Sequence, residues 1–198
     1  MRRIVVEQFV SLDGVAEGPG RFGEFEHRGW TVPYWDDDVE EWHTDQLLAS
    51  DALLLGRVTY EEFTVIWPRR KPDEPRRGLR AGDVFTARMN SLPKFVASTT
   101  LAGPLEWNST LLAGELAEAV AELKERPGAD ILVYGSSELV NALMPFDLVD
   151  EYRLMIYPVV LGRRKRFFRD DNARTTLALK GSQTSSTGVT MLVLEPRR

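Results

Sequence analysis

The chain has 198 residues, enough for one sizeable domain or two small ones. Its 43% hydrophobic and 28% charged residues are ordinary for a globular protein. A net charge of −5 gives no general attraction to nucleic acid or to an anionic membrane. The absence of cysteine excludes disulfides, thiolate metal sites and a cysteine nucleophile. Glu7 interrupts the first apolar run too early for a signal peptide, and no run approaches the ~20 residues that span a bilayer. A cytoplasmic protein with no nucleic-acid or membrane partner is expected.

In chain order, Ile4 to Val10 reads as a strand. Ser11 to Gly29 is a loop with five glycines, and a stretch that long without periodicity fits a lid or binding loop. Trp30 to Trp35 is aromatic and holds Pro33. Asp36-Asp37-Asp38 opens a helix to about Ala49, with acids in its first turn as the helix dipole favours. The strand Ala52–Leu55 follows, and Gly56 passes into a short helix over 57–63. Pro68 to Arg80 is a proline-rich basic loop with Arg69, Arg70, Lys71, Arg76, Arg77 and Arg80. Phe85 to Ser91 is helix-compatible. Lys94 to Ser98 is a strand ending in Ser98-Thr99-Thr100.

Residues 114–126 form an amphipathic helix with Leu116, Val120 and Leu123 on one face and a Pro127-Gly128 stop. Ala129 to Tyr134 is a buried strand ending at Gly135-Ser136-Ser137. Glu138 to Met144 is a short helix stopped by Pro145. Tyr152 to Leu161 is a long apolar strand broken by Pro158. Strands at Thr175–Thr184 and Val189–Leu194 face each other across Ser185-Ser186-Thr187-Gly188 as a hairpin. Strands alternating with helices predict an α/β fold whose sheet is mostly parallel, with an antiparallel pair at the end. No repeat or linker divides residues 1–198, so one domain is expected.

Three strands end in similar chemistry: Gly56-Arg57-Val58-Thr59, Ser98-Thr99-Thr100 and Gly135-Ser136-Ser137. In a parallel sheet the C-terminal ends of strands share one edge, and ligands bind there. A helix N-terminus offers unpaired N–H groups and partial positive charge to a phosphate. Arg57 adds a planar donor fork. Taken singly, each ending is equally a strand punctuated by Ser or Gly, with a surface arginine.

These residues carry a resemblance to the dihydrofolate reductase superfamily, closest to the bacterial branch related to the reductase domain of the riboflavin-biosynthesis bifunctional protein. The matching segments are Ser11-Leu12-Asp13-Gly14-Val15, Ala52 through Glu61, Ile131 through Leu139, and Asp150-Glu151-Tyr152-Arg153-Leu154 through Pro158-Val159-Val160-Leu161-Gly162. The resemblance implies a three-layer fold with a central, mostly parallel sheet and NADPH across its C-terminal edge. It places Gly56, Arg57, Val58 and Thr59 on the cofactor phosphates, with Arg57 favouring NADP over NAD. It places Ser98, Thr99 and Thr100 near the adenosine 2′-phosphate. The pyrophosphate turn maps to Gly135, Ser136, Ser137 and Glu138, in a cofactor-binding segment flanked by Tyr134 and Leu139. Gly135-Ser136 stands where dihydrofolate reductases have two adjacent glycines, and serine tolerates fewer backbone conformations. Glu138 either brings negative charge to the pyrophosphate or turns away and caps its helix.

The resemblance further implies hydride transfer to a small pterin- or pyrimidine-like substrate. The activity would resemble that of 5-amino-6-(5-phosphoribosylamino)uracil reductase or of dihydrofolate reductase. The acid that holds the pterin in folate reductases falls on Glu40 by gapless counting, and a family tryptophan falls on Trp35, a substrate contact. One gap moves the acid to Glu41 or Asp38. Asp13 is the other catalytic candidate; it either caps its glycine turn or touches substrate. Trp30, Tyr34 and Trp35 either stack on a flat ring or belong to the core. Arg163-Arg164-Lys165-Arg166 is either a solvated loop or an attractor for phosphate. His27 and His43 show no metal-ligand spacing, and His43 reads as an ordinary helix side chain. A homodimer formed through Leu154–Leu161 and the hairpin is expected by resemblance. The competing reading is a non-catalytic nucleotide-binding dimeric module of the same fold.

Overall fold

The computed structural model describes residues 1–20, 26–70, 82–134, 137–162, 164–170 and 174–197. The strands are β1 (Ile4–Ser11), β2 (Ser50–Gly56), β3 (Lys94–Ala97), β4 (Ser109–Leu111), β5 (Asp130–Tyr134), β6 (Glu151–Tyr157), β7 (Leu177–Thr184) and β8 (Thr190–Pro196). The helices are α1 (Asp37–Ala49), α2 (Arg57–Ile66), α3 (Gly82–Ser91), α4 (Leu116–Glu125) and α5 (Ser137–Leu143). Among the described residues the strands form one sheet in the order β4-β3-β2-β5-β1-β6-β8-β7. Pairings from β4 through β6 are parallel, and β8 and β7 add an antiparallel hairpin. This is the dihydrofolate reductase-like α/β architecture expected from the sequence.

Side-chain alternation along the strands builds the three layers. Leu54, Ile131 and Val133 pack with Val120 and Leu123 of α4 and with Val140 and Leu143 of α5. Leu53, Leu55 and Leu132 pack on the opposite face with Leu47 of α1 and with Phe85 and Met89 of α3. Leu53, Leu54 and Leu55 are all fully buried, so the central strand is apolar on both faces, as a parallel sheet between helices requires.

The structure adds and corrects elements. Strand β4 has three residues and no apolar run, so nothing in its sequence marks it. Helix α2 extends to Ile66. Strand β6 ends at Tyr157, because Pro158 has no N–H for the ladder and Val159 N turns back to the Tyr157 carbonyl. It lies inside the sheet between β1 and β8, with Leu154, Met155 and Tyr157 buried. Both edges of β6 are therefore paired within the chain, and β7 is the outer strand of the hairpin. No helix among the described residues is long and apolar enough to cross a membrane.

Two polar residues fasten the layers. Asp36 caps α1 by accepting from Val39 N, and its other carboxylate oxygen accepts from Ser186 Oγ, Thr187 N and Thr187 Oγ1 of the β7–β8 turn. These donors hold its pKa below the ordinary aspartate value. Lys94 is fully buried at the start of β3. Its Nζ donates to the Asn90 and Leu92 carbonyls at 3.1 and 2.7 Å and sits 4.1 Å from the Trp107 ring centre. Burial lowers its pKa to about 8.

Asp36→Ala removes the cap and the hairpin bonds together and should cost about 2 kcal/mol in urea unfolding. For Lys94 the folded pKa lies below the unfolded one, so the unfolded chain binds more protons between pH 8 and 10.5. Stability should therefore rise with pH in that window, by about 2 kcal/mol between pH 8 and 10. Urea midpoints at successive pH values should show this rise in the parent and a flatter profile in Lys94→Met.

Candidate active site

The carboxyl ends of β1, β2, β3 and β5 open onto one broad cleft of about 3120 Å³. Small-molecule pockets usually hold about 300–1,000 Å³, so this one has room for a dinucleotide and a second molecule. Every described member of the three strand endings lines it: Gly56, Arg57, Val58 and Thr59; Ser98, Thr99 and Thr100; Tyr134, Ser137, Glu138 and Leu139. Gly135 and Ser136 lie outside the described residues.

Each ending has its own local cause. Gly56 is the N-cap of α2 and carries no side chain to satisfy the first turn, so the leading N–H groups of this ten-residue helix have no side-chain cap. Arg57 Nη1 pairs with Glu61 Oε2 at 2.8 Å, one helical turn on, with both side chains well exposed. Such a surface pair contributes about 0.3–0.5 kcal/mol and exchanges readily for another anion. Ser98 Oγ accepts from Thr100 N and Leu101 N, folding the end of β3 into a hydroxyl-rich turn. Glu138 turns to Lys165 and Arg169, at 3.9 and 3.8 Å, so its charge is offset by two cations.

The loop after β1 brings basic residues to the other side. Gly14 has a φ of +86°, which closes a tight turn in which its N–H donates to the Ser11 carbonyl. Val15 then bridges to Arg166, with Ala16 N donating to Lys165 O and Phe167 N to Gly14 O. That pairing sets Arg164, Lys165 and Arg166 along the cleft, joined by Arg169. A chain of net charge −5 thus concentrates cations around one opening. Arg163, and Lys71 through Arg80 of the basic loop, lie outside the described residues; Arg70 lines the cleft and sits 5.1 Å from the Trp67 ring centre.

The acids expected from the sequence take other positions. Glu40 is buried on α1 and does not line the cleft, whereas His43, three residues on, does. Asp13 does not line it either. Its carboxylate accepts from Ser11 Oγ at 2.6 Å, Leu161 N at 3.1 Å and Gly162 N at 2.7 Å, which braces the β1 turn against the segment after β6. These donors hold its pKa below the usual aspartate value. Of the aromatic candidates, Trp35 lines the cleft, whereas Trp30 is core and its Nε1 donates to the Glu17 carbonyl.

A pair that sequence reasoning missed sits at the centre. Glu7 of β1 and His43 of α1 are 2% and 7% exposed, both line the cleft, and Glu7 Oε1 lies 2.5 Å from His43 Nδ1. The imidazole stacks on Phe85 at 4.8 Å and meets Tyr134, Phe9 and Trp35 at 5.3, 5.4 and 5.5 Å. Strand register places Tyr134 and Arg153 on either side of Glu7. Burial raises the Glu7 pKa; His43, Arg153 and the Tyr134 hydroxyl oppose that shift without cancelling it. The signal for this pair was Glu7 itself, a charge in an apolar strand that requires a buried partner. Among the described residues no group of three or more acids and histidines is arranged to hold a metal.

A parallel sheet with this cleft across its carboxyl edge is the dihydrofolate reductase-like class of α/β protein. The chain belongs to the RibD C-terminal domain family, whose model matches residues 2–191. Two Bacillus subtilis (strain 168) proteins, the uncharacterized YyaP and YwjB, are 31% and 29% identical over 192 and 187 residues. Those alignments cover 97% and 92% of this chain, and 94% and 91% of the relatives. A putative riboflavin biosynthesis protein from Shewanella sp. PV-4 superposes with a TM-score of 0.71 at 20% identity, over 99% of both chains. A pyrimidine reductase-like protein from Corynebacterium diphtheriae gives 0.63 at 17%, over 100% of this chain and 92% of the other. The family supports a reductase-type role, and the solved structures share the fold.

Since Asp13 acts as a brace, Asp13→Ala should lower stability by about 1–2 kcal/mol. Urea denaturation at neutral pH measures this directly; an unchanged midpoint would show that the brace carries no energy.

Proposed function

We propose that the chain is an NADPH-dependent reductase of a small, flat heteroaromatic substrate of pyrimidine or pterin type. The observation that carries this reading is the convergence of three hydroxyl-, glycine- and arginine-bearing strand ends on one cleft. The residues fit the cofactor. The α2 N-terminus at Gly56, Arg57, Val58 and Thr59 suits phosphates. The Ser98-Thr99-Thr100 turn would receive the adenosine end, and Tyr134, Ser137, Glu138 and Leu139 would flank the pyrophosphate. Gly135 and Ser136 belong to that segment by sequence. Arg57 exchanges Glu61 for the 2′-phosphate, which supports preference for NADPH over NADH. Trp35 gives a flat ring an aromatic wall.

The nicotinamide, when bound, supplies the hydride. The protein then needs to hold the acceptor against the ring, exclude water and provide a proton. The names of the structural neighbours, one pyrimidine reductase-like and one a putative riboflavin biosynthesis protein, agree with such a substrate.

Titration of the purified protein with NADPH and NADH, followed by nicotinamide fluorescence, tests the reading. NADPH should bind the more tightly. Arg57→Ala should weaken NADPH roughly tenfold, the loss of one charge-assisted contact, and leave NADH nearly unchanged. Equal losses would remove Arg57 from the 2′-phosphate. Failure of both nucleotides to bind at millimolar concentration would overturn the proposal.

A further inference from the structure

We infer that His43, held by Glu7, is the proton donor of the cleft. The inference rests on the reductase reading and assigns the group that reading leaves open. Glu7 holds Nδ1 at 2.5 Å, which fixes the ring orientation, and the four surrounding aromatic rings leave it little freedom to rotate. Among the described residues Nε2 has no hydrogen-bond partner, although the ring borders the cleft. A core histidine with a purely structural role has both nitrogens satisfied. Here one nitrogen is anchored to a carboxylate and the other is left for a ligand, the arrangement in which a carboxylate orients an imidazole for proton transfer.

The groups packed around the ring leave Glu7 as its hydrogen-bond partner. Glu7 Oε1 touches the imidazole directly, 2.5 Å from Nδ1. The Phe9, Trp35, Phe85 and Tyr134 rings enclose the imidazole on its other sides. From β6, Arg153 is already engaged with Glu151, and Tyr157 is a buried phenol whose pKa is pushed well up by burial and by the nearby Glu7 and Asp36. From α3, Arg88 turns away to the Ser50 carbonyl. Glu7 is thus the charged group in direct contact with the imidazole.

The reaction class follows. The acceptor carries a C=N or C=O bond: its carbon takes the hydride, and its nitrogen or oxygen takes the proton from Nε2. A new C–H bond and a new N–H or O–H bond form as the π bond is lost, and the reduced nicotinamide is oxidised. His43 is left neutral with Nδ1–H on Glu7, and a solvent proton restores Nε2–H.

Diethyl pyrocarbonate, which acylates a deprotonated and accessible imidazole nitrogen, tests this without any substrate. The chain has only His27 and His43, so His27→Gln leaves one target. The folded protein should take up one ethoxyformyl group. Glu7→Gln removes the carboxylate that accepts from Nδ1–H and makes Nε2 the better nucleophile, so the acylation rate should fall severalfold at the same pH. If Glu7→Gln does not fold, Glu7→Asp, with its carboxylate one methylene further away, should give a smaller fall in rate. An unreactive His43, or an acylation rate indifferent to residue 7, would overturn the donor role. Because nucleotide titration is separate, an unreactive His43 in a protein that binds NADPH refutes this inference alone.

Discussion

The parallel register of β1, β2, β3 and β5 is the constraint on which the site depends. Glu7 aligns with Tyr134, Leu54 with Val133, and Gly56 with Ala97, so four strands finish along one edge of the sheet. A shift of one residue in any of them would turn its apolar side chains to the wrong helix layer. The same packing that buries Leu53, Leu54 and Leu55 therefore delivers Gly56 and Arg57 to the cleft. Stability and site geometry are set by one register, and the loops contribute charge and hydroxyls to a frame that is already fixed.

Within that frame the polar groups divide their work. Asp36 and Asp13 are exposed enough to be mistaken for ligands, yet their oxygens are taken up by backbone N–H and hydroxyl donors that join distant segments. Arg57 and Glu138 are held by exposed ion pairs that cost little to break. Glu7 and His43 are buried together, and there the low dielectric makes the pairing strong and the loss of either partner costly. Groups in deep burial hold a fixed geometry, whereas those at the rim can exchange partners when a ligand arrives.

Much of this was legible in the sequence. Apolar runs ending at Gly56, Ser98 and Tyr134 marked the strands and the common edge, and acids at 36–38 marked the start of α1. The Glu7–His43 pair was not legible. Gapless counting selects a residue on α1 but not which buried residue of that helix reaches the cleft, and there His43, not Glu40, lines it. Nor does counting reveal a partner 36 residues away on another element. Strand β4 escaped because three residues, none of them buried, carry no periodicity, and it is formed by pairing with β3 alone.

The most direct measurement is a crystal structure of the protein grown with NADPH. The account predicts the adenosine end at Ser98-Thr99-Thr100, phosphate at the α2 N-terminus with Arg57 released from Glu61, and the nicotinamide extending toward Glu7 and His43. A cofactor bound elsewhere, or one lying in the cleft with Arg57 still paired to Glu61 and no phosphate on α2, would contradict it.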